Sequence, residues 1–182
     1  MESDAALVMN IAAGDKQALA RLVERHKRSA YAMALGLVGN KDDAFDISQE
    51  AFLRVHRSAR TFDSSKPFLP WFYTIIANLC RTWLRRRSRL ARRTVDLDDV
   101  SYLLICEDSP EQDLIRREMI ARLREALMEL SFADREIITL QHFRGMSYDE
   151  IATLLGIPKG TVMSRLYYAR KRLAALMKDD KG

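Results

Sequence analysis

The sequence predicts an all-α protein: two small helical domains joined by an acidic linker, with a helix-turn-helix in the C-terminal domain. The chain has 182 residues, which suits one ordinary domain or two small ones. It contains only seven Gly and four Pro, too few for a turn-rich β architecture. Because 48% of the residues are hydrophobic and 30% are charged, the chain can bury a core and is not expected to be disordered.

Charged residues come in blocks that place the domain boundary. Seven arginines and no acid lie between residues 81 and 93, whereas seven acids and no base lie between residues 94 and 113. The turn-forming sequence Asp108-Ser109-Pro110 lies within the acidic block. We therefore predict an N-terminal domain at 1–93, an acidic linker at 94–112 and a C-terminal domain at 113–182.

Four helices are predicted in the N-terminal domain. Asp15 can cap a helix that runs to about Val38, and Gly39-Asn40 is a typical helix end. The next helix runs from about Lys41 to Ser58. After a polar break comes a helix that ends in the arginine block. The apolar positions at helical spacing in the last two helices are Ala44, Ile47, Ala51 and Val55, and then Phe72, Ile75 or Ile76, Leu79 and Trp83.

A helix-turn-helix is predicted near the C-terminus. Ser147 and Glu150 form a capping box, Gly156 supplies a turn, and Pro158 suits the first position of the following helix. Six bases and no acid lie between Glu150 and Asp179, so this last helix suits the major groove of DNA. The alternative is a solvated basic helix in a plain bundle. In the last helix, the predicted core positions are Val162, Leu166, Ala169, Leu173 and Leu176.

Two further segments predict binding surfaces. Six of the fifteen aromatic residues lie between Phe62 and Trp83, beside the arginine block, and such a combination suits stacking on unpaired bases. Packing inside the bundle is the expected role of Phe72 and Trp83, while Trp71 and Tyr73 fit either role. A second surface, on the helix at 41–58, combines acids with a leucine, so its partner would be a protein unless the face is simply solvated. Its members are Asp46, Gln49, Glu50, Leu53 and Arg57.

Catalysis is not expected. The chain has no G-x-G-x-x-G, phosphate-loop or G-x-S-x-G motif, so we predict neither a catalytic residue nor a cofactor. Cys80 and Cys106 form no C-x-x-C pair and the three histidines lie far apart, so no metal site is predicted. The acidic start and the lack of an apolar run of about 18 residues indicate a cytoplasmic protein with no membrane insertion.

Both halves of the chain resemble one family, the extracytoplasmic-function (ECF) group of bacterial RNA polymerase sigma factors. The N-terminal similarity lies in residues 43–55 (DAFDISQEAFLRV) and 71–79 (WFYTIIANL). The C-terminal similarity lies in residues 135–140 (REIITL), 145–152 (GMSYDEIA) and 160–173 (GTVMSRLYYARKRL). The order and spacing of these stretches make the resemblance specific, since a helix-turn-helix alone is found in many proteins.

The resemblance implies a transcription initiation factor that binds the β and β′ subunits of polymerase core, recognises promoter DNA and is held by an anti-sigma factor. The implied core-binding residues are Asp46, Gln49, Glu50 and Leu53. Those implied for the melted minus-ten strand are Asp63, Ser64, Ser65, Lys66, Trp71, Tyr73, Asn78, Arg81 and Arg85. Those implied for the minus-thirty-five duplex are Lys159, Thr161, Met163, Ser164, Arg165, Tyr167 and Tyr168.

Three residues depart from the family pattern. Met163 stands where the family usually has Lys or Arg, Tyr168 stands where it often has Arg, and Pro70 is unusual beside Trp71. Two other functions compete with the sigma interpretation. A stand-alone regulator would bind a palindromic operator as a dimer without polymerase. A single-stranded RNA-binding protein would bind unrelated RNAs with similar affinity, and the helix-turn-helix disfavours it.

Overall fold

Every regular element in the described part of the protein is a helix. The computed structural model describes residues 2–91, 110–142 and 146–179. The first half holds α1 (Asp4–Ala12), α2 (Lys16–Val38), α3 (Lys41–Ser58), a 3-10 turn (Ala59–Thr61) and α4 (Phe68–Ala91). The second half holds α5 (Pro110–Glu129), α6 (Phe132–His142), α7 (Tyr148–Leu155) and α8 (Lys159–Asp179). The all-α prediction is confirmed. Most of the predicted linker, with Cys106, lies outside the described residues, and α5 begins at Pro110.

Local capping fixes both ends of α2, as the sequence predicts, and it also fixes the start of α3. The Asp15 carboxylate accepts a hydrogen bond of 2.7 Å from the backbone N–H of Gln17 at the start of α2. Gly39 ends that helix with φ +76°, a left-handed conformation that glycine adopts without a steric penalty. Asn40 then caps α3, where its side-chain oxygen accepts from the N–H of Asp43.

The core of the first half forms around α2, which contacts α1, α3 and α4. Buried side chains from these helices include Leu22, Leu37, Phe72 and Ile76. Helix α1 is held onto α2 by charge as well as by apolar contact. The Asp4 carboxylate lies 2.6 Å from an Arg25 nitrogen and 3.0 Å from Nε2 of His26, which is itself buried.

The second half has the predicted helix-turn-helix. Ser147 and Glu150 form the reciprocal hydrogen bonds of a capping box, and Gly156 ends α7 with φ +64°. Helix α8 begins at Lys159, one residue later than predicted, because the Pro158 carbonyl accepts the first hydrogen bonds of the helix. Of the predicted core positions, Val162, Leu166 and Ala169 are buried, while Leu173 and Leu176 are partly buried against the same core.

The two halves pack against each other. Helix α6 contacts α2, and α7 contacts α4, so that one hydrophobic core continues from the first half into the second. The Met128 side chain of α5 lies over Gly39, so closely that a Cβ there would collide with it. We call this packing of α5, α6 and α7 on the first half the closed arrangement.

Candidate nucleic-acid and protein interfaces

The loop between the 3-10 turn and α4 is exposed and internally ordered. Asp63 Oδ1 accepts hydrogen bonds from the Ser65 N–H at 3.0 Å and from the Ser65 hydroxyl at 2.7 Å. These two bonds hold the pKa of Asp63 below its usual range. The four loop residues predicted to bind the minus-ten strand are all exposed: Asp63, Ser64, Ser65 and Lys66. The loop therefore presents polar groups from a preformed turn.

Trp71 lies partly exposed at the start of α4. Its ring packs on Phe62 with 4.8 Å between centroids and on Phe68 with 6.1 Å, so other aromatic rings support it from behind. In front of it is a cleft of about 580 Å³ between the loop and α7. Lys66 and Pro70 line one side of this cleft, and Asp149 of α7 lines the other.

Tyr73 differs from the expectation that its ring faces a nucleic acid. Only 2% of the residue is exposed, so in the closed arrangement the ring is part of the core and cannot stack on a base. Burial, together with the nearby charge of Glu136 on α6, raises the pKa of Tyr73 well above its usual value. The reason for the difference is tertiary, because Tyr73 is packed in the hydrophobic core and Glu136 of α6 lies near it.

The basic residues of α4 differ in their availability. Asn78 is exposed, and its side-chain oxygen accepts a hydrogen bond of 2.9 Å from Arg81. Arg81 also forms an ion pair with Glu136 of α6 and lies 5.1 Å from the centroid of the Phe132 ring. Burial raises the pKa of Glu136, and the Arg81 charge opposes that rise. Arg85, one turn further along, is exposed.

The face of α3 that was predicted to bind a protein is largely exposed, and it is more apolar than predicted. Asp46, Gln49 and Leu53 are exposed, and Glu50 pairs with Arg54 and Arg57, each at 3.3 Å. Phe45 was missed by the sequence analysis, although it is 55% exposed, more than Leu53 at 49%. It precedes Gln49 and Leu53 at steps of four residues, so the three form one stripe. The available signal was a phenylalanine outside the predicted buried stripe.

The exposed side of α8 carries most of the residues predicted for duplex DNA. Exposed side chains on this helix include Met163, Ser164, Arg165, Tyr167 and Tyr168, while Thr161 is partly buried. Lys159 is exposed too, and its ammonium group lies 2.7 Å from the Asp149 carboxylate of α7. Met163, Leu166 and Tyr167 line an open groove of about 530 Å³ together with Tyr148, Arg170 and Lys171.

Other kinds of site have little support in the described residues. Residues 2–91, 110–142 and 146–179 contain no group of His, Cys, Asp and Glu side chains that could hold a metal ion. No helix in these ranges is both long and apolar enough to cross a membrane. Cys80 is buried, and burial raises the pKa of its thiol to about 12, so the thiol is protonated and unreactive in the closed arrangement.

Comparison with known families matches both halves of the chain. Residues 22–90 match the family described as Sigma-70 region 2, and residues 120–173 match Sigma-70, region 4. The first match includes α3, the loop and almost all of α4. The second includes α6, α7 and most of α8.

Relatives of similar length match along nearly the whole chain. The RNA polymerase sigma factor NccH of Alcaligenes xylosoxydans is 35% identical and covers 96% of this chain and 94% of its own. The ECF RNA polymerase sigma factor SigM of Mycobacterium tuberculosis is 34% identical, with coverages of 96% and 85%. Among solved structures, the sigma factor RpoE of Bartonella quintana, in complex with the anti-sigma factor NepR, superposes with a TM-score of 0.71. It is 26% identical and covers 88% of this chain and 97% of its own.

Proposed function

This chain belongs to the ECF group of RNA polymerase sigma factors. We propose that three separate surfaces of the chain bind polymerase core, the melted minus-ten strand and the minus-thirty-five duplex. The chain is a promoter-directing factor for RNA polymerase. The order of the two family matches supports this assignment of functions, because region 2 matches residues 22–90 and region 4 matches residues 120–173. We place the functional domains at 1–93 and 113–182, joined by the linker at 94–112.

Helix α3 is the proposed docking site for polymerase core. Its acidic groups repel DNA, so a protein is the favoured partner. The exposed stripe of Phe45, Gln49 and Leu53 supports this assignment, because apolar side chains at a binding face add affinity by leaving water. Asp46 and Glu50 flank the stripe and would select a basic partner surface.

The loop and helix α4 are the proposed site for the melted minus-ten strand. Trp71 can stack on an unpaired base, which stabilises it by about 1–3 kcal/mol. Lys66, Arg85 and the loop hydroxyls would hold the strand backbone. Binding the open strand more tightly than the duplex offsets part of the cost of melting, so we infer that the factor works without catalytic chemistry of its own. Tyr73 and Arg81 can take part only after the closed arrangement opens.

Helix α8 is the proposed reader of the minus-thirty-five duplex. Its exposed face carries Ser164 and Arg165 for polar contacts, and it lacks acids along its whole length before Asp179. Lys159 reaches DNA only by leaving Asp149. The approach of phosphates would favour that exchange, since the pair is exposed and weak.

We further propose that an anti-sigma protein inhibits this factor and that both act in the cytoplasm, where polymerase core is found. The Bartonella relative was solved in complex with an anti-sigma factor, which supports the first part of this proposal.

Transcription from a promoter library tests the proposed function directly. Purified bacterial core is incubated with and without the full-length protein, and the start sites are sequenced. We expect starts that depend on the protein, at sites sharing two spaced motifs. The absence of starts, together with tight binding of a palindromic duplex by the free dimer, would instead establish a stand-alone regulator.

Two substitutions test the minus-ten assignment within the same assay. Trp71→Ala and Asn78→Ala are expected to impair formation of the open complex more than binding to core, because neither residue lies on α3. An equal loss of both activities would contradict the assignment.

A further inference from the structure

The recognition helix presents unusually large apolar side chains to solvent. Met163 is 52% exposed, Tyr167 63% and Tyr168 54%, and all three lie on the outer face of α8. The Tyr168 ring meets the Tyr167 ring edge-on, with 5.3 Å between centroids, which restricts how either ring can rotate. Exposed apolar side chains gathered on one face mark a binding surface rather than a solvated one.

The charged residues around this face of α8 indicate which kind of ligand binds it. Arg170 and Lys171 border the groove that Met163 and Tyr167 line. No acid lies between Glu150 and Asp179. The occupant therefore carries negative charge at its edges and apolar atoms at its centre. Duplex DNA fits this description, because phosphates border a major groove in which each thymine presents a methyl group.

Met163 occupies the part of α8 that reaches base edges. The helix begins at Lys159, so Met163 lies in its second turn, and recognition helices contact bases through their N-terminal residues. A methionine cannot donate a hydrogen bond to guanine, as a lysine or arginine at this position could. Its unbranched thioether side chain is instead suited to apolar contact.

Building on the proposed function, we propose that Met163, with Tyr167 one turn later, selects thymine in the minus-thirty-five element by contact with its 5-methyl group. The contact adds a preference for thymine to whatever Ser164 and Arg165 read. The presence of Met163 in place of a basic residue then changes which base α8 prefers, and does not merely lower its affinity for DNA.

Deoxyuridine provides the sharpest test, because it differs from thymine in the major groove only by lacking the methyl group. Holoenzyme assembled from core and the full chain first selects its minus-thirty-five sequence from a random duplex library. Each thymine of the selected duplex is then replaced singly by deoxyuridine, and binding is measured. We expect at least one replacement to weaken binding about fourfold, since burial of one methyl-sized group is worth roughly that factor.

Three substitutions assign the effect to the side chain. Met163→Ala is expected to lower affinity for the thymine duplex and to abolish the penalty of deoxyuridine, whereas Met163→Leu keeps the penalty. Met9, which is 57% exposed on α1, supplies the matched control, and Met9→Ala should change neither value. Because Met163 is exposed, the thermal midpoint should stay unchanged in both Met163 variants.

The outcomes separate the two proposals. If holoenzyme selects a sequence but no deoxyuridine weakens binding, or if Met163→Ala keeps the penalty, the methyl contact is refuted and the groove is left for a protein partner. If holoenzyme selects no sequence at all, the proposed function fails, and the methyl contact fails with it.

Discussion

Arg81 of α4 and Glu136 of α6 form an ion pair that joins the two halves of the protein. Glu136 is buried, Arg81 is partly exposed, and the guanidinium also lies over the Phe132 ring. Tyr73 and Cys80 are buried beside this pair, where the charge of Glu136 acts on both. The ion pair thus engages Arg81, which is proposed to bind the minus-ten strand, and it lies beside Tyr73, a second residue proposed for that strand.

Removing the charge of Glu136 is expected to loosen the closed arrangement. Glu136→Gln leaves Arg81 without its partner, and a loss of about 1–2 kcal/mol between the halves would raise the open population roughly 5- to 30-fold. Cys80 reports the change, because its buried thiol reacts only after opening. In a Cys106→Ser background, the rate of labelling by a thiol reagent should rise by that factor.

Glu24→Gln is the control for this measurement. Glu24 is exposed and pairs with Lys27 of the same helix, so its loss should leave the labelling rate unchanged. An unchanged rate in the Glu136 variant as well, with the chain still folded by circular dichroism, would show that the ion pair does not hold the halves together.

The α3 stripe predicts a second effect, on binding to polymerase core. Phe45→Ala and Asp46→Arg should each weaken binding, the first by removing apolar area and the second by reversing a charge. We expect losses of about 5- to 30-fold, the range produced by 1–2 kcal/mol. Competition titration against labelled wild-type protein measures both. Met9→Ala removes a side chain of similar exposure on α1, and an equal loss there would contradict the assignment to α3.

Substitutions at two glycines can measure how much the contact between the halves contributes to the free energy of unfolding in urea. Gly14 and Gly39 both have left-handed backbone, with φ of +97° and +76°, so alanine at either position costs about 1–2 kcal/mol in strain. A Cβ on Gly39 would also displace the Met128 side chain, whereas one on Gly14 would meet nothing within 4 Å. Gly39→Ala should therefore be the more destabilising. The excess should vanish when Met128→Ala is added, and persistence of the excess would contradict the packing argument.

The attachment of α1 should depend on pH through Asp4. Burial favours protonation of its carboxyl, but hydrogen bonds from His26 and Arg25 outweigh burial and hold the pKa below its ordinary value of 3.8. Because the folded pKa is the lower one, the carboxylate contributes stability above about pH 4, and this contribution is lost as the pH falls through the folded pKa. Asp4→Asn should cost about 1–2 kcal/mol at pH 7.

Urea unfolding of wild type and Asp4→Asn at pH 7, 5 and 3 measures this dependence. We expect the two curves to differ at pH 7 and pH 5 and to approach each other at pH 3. A difference that stays constant over the whole range would mean that the carboxylate charge is not what holds α1.

Local features of this protein follow from its sequence, because they depend on residues close together along the chain. The start of α2 at Asp15, its end at Gly39 and the capping box at Ser147 each involve hydrogen bonds within about one helical turn. The buried stripe of α8 follows in the same way from helical periodicity. The family is also readable from the sequence, since its motifs are continuous stretches of residues.

Tertiary structure alone determined which of the candidate residues are accessible. Sequence periodicity left Tyr73 open to either role, and the packing of the helices into one core buried it. Sequence periodicity also did not identify Phe45 as an exposed residue, although no helix covers its side chain in the described residues. Arg81 and Glu136 are 55 positions apart in the chain. Their pairing depends on how separate helices pack, and no local pattern encodes that.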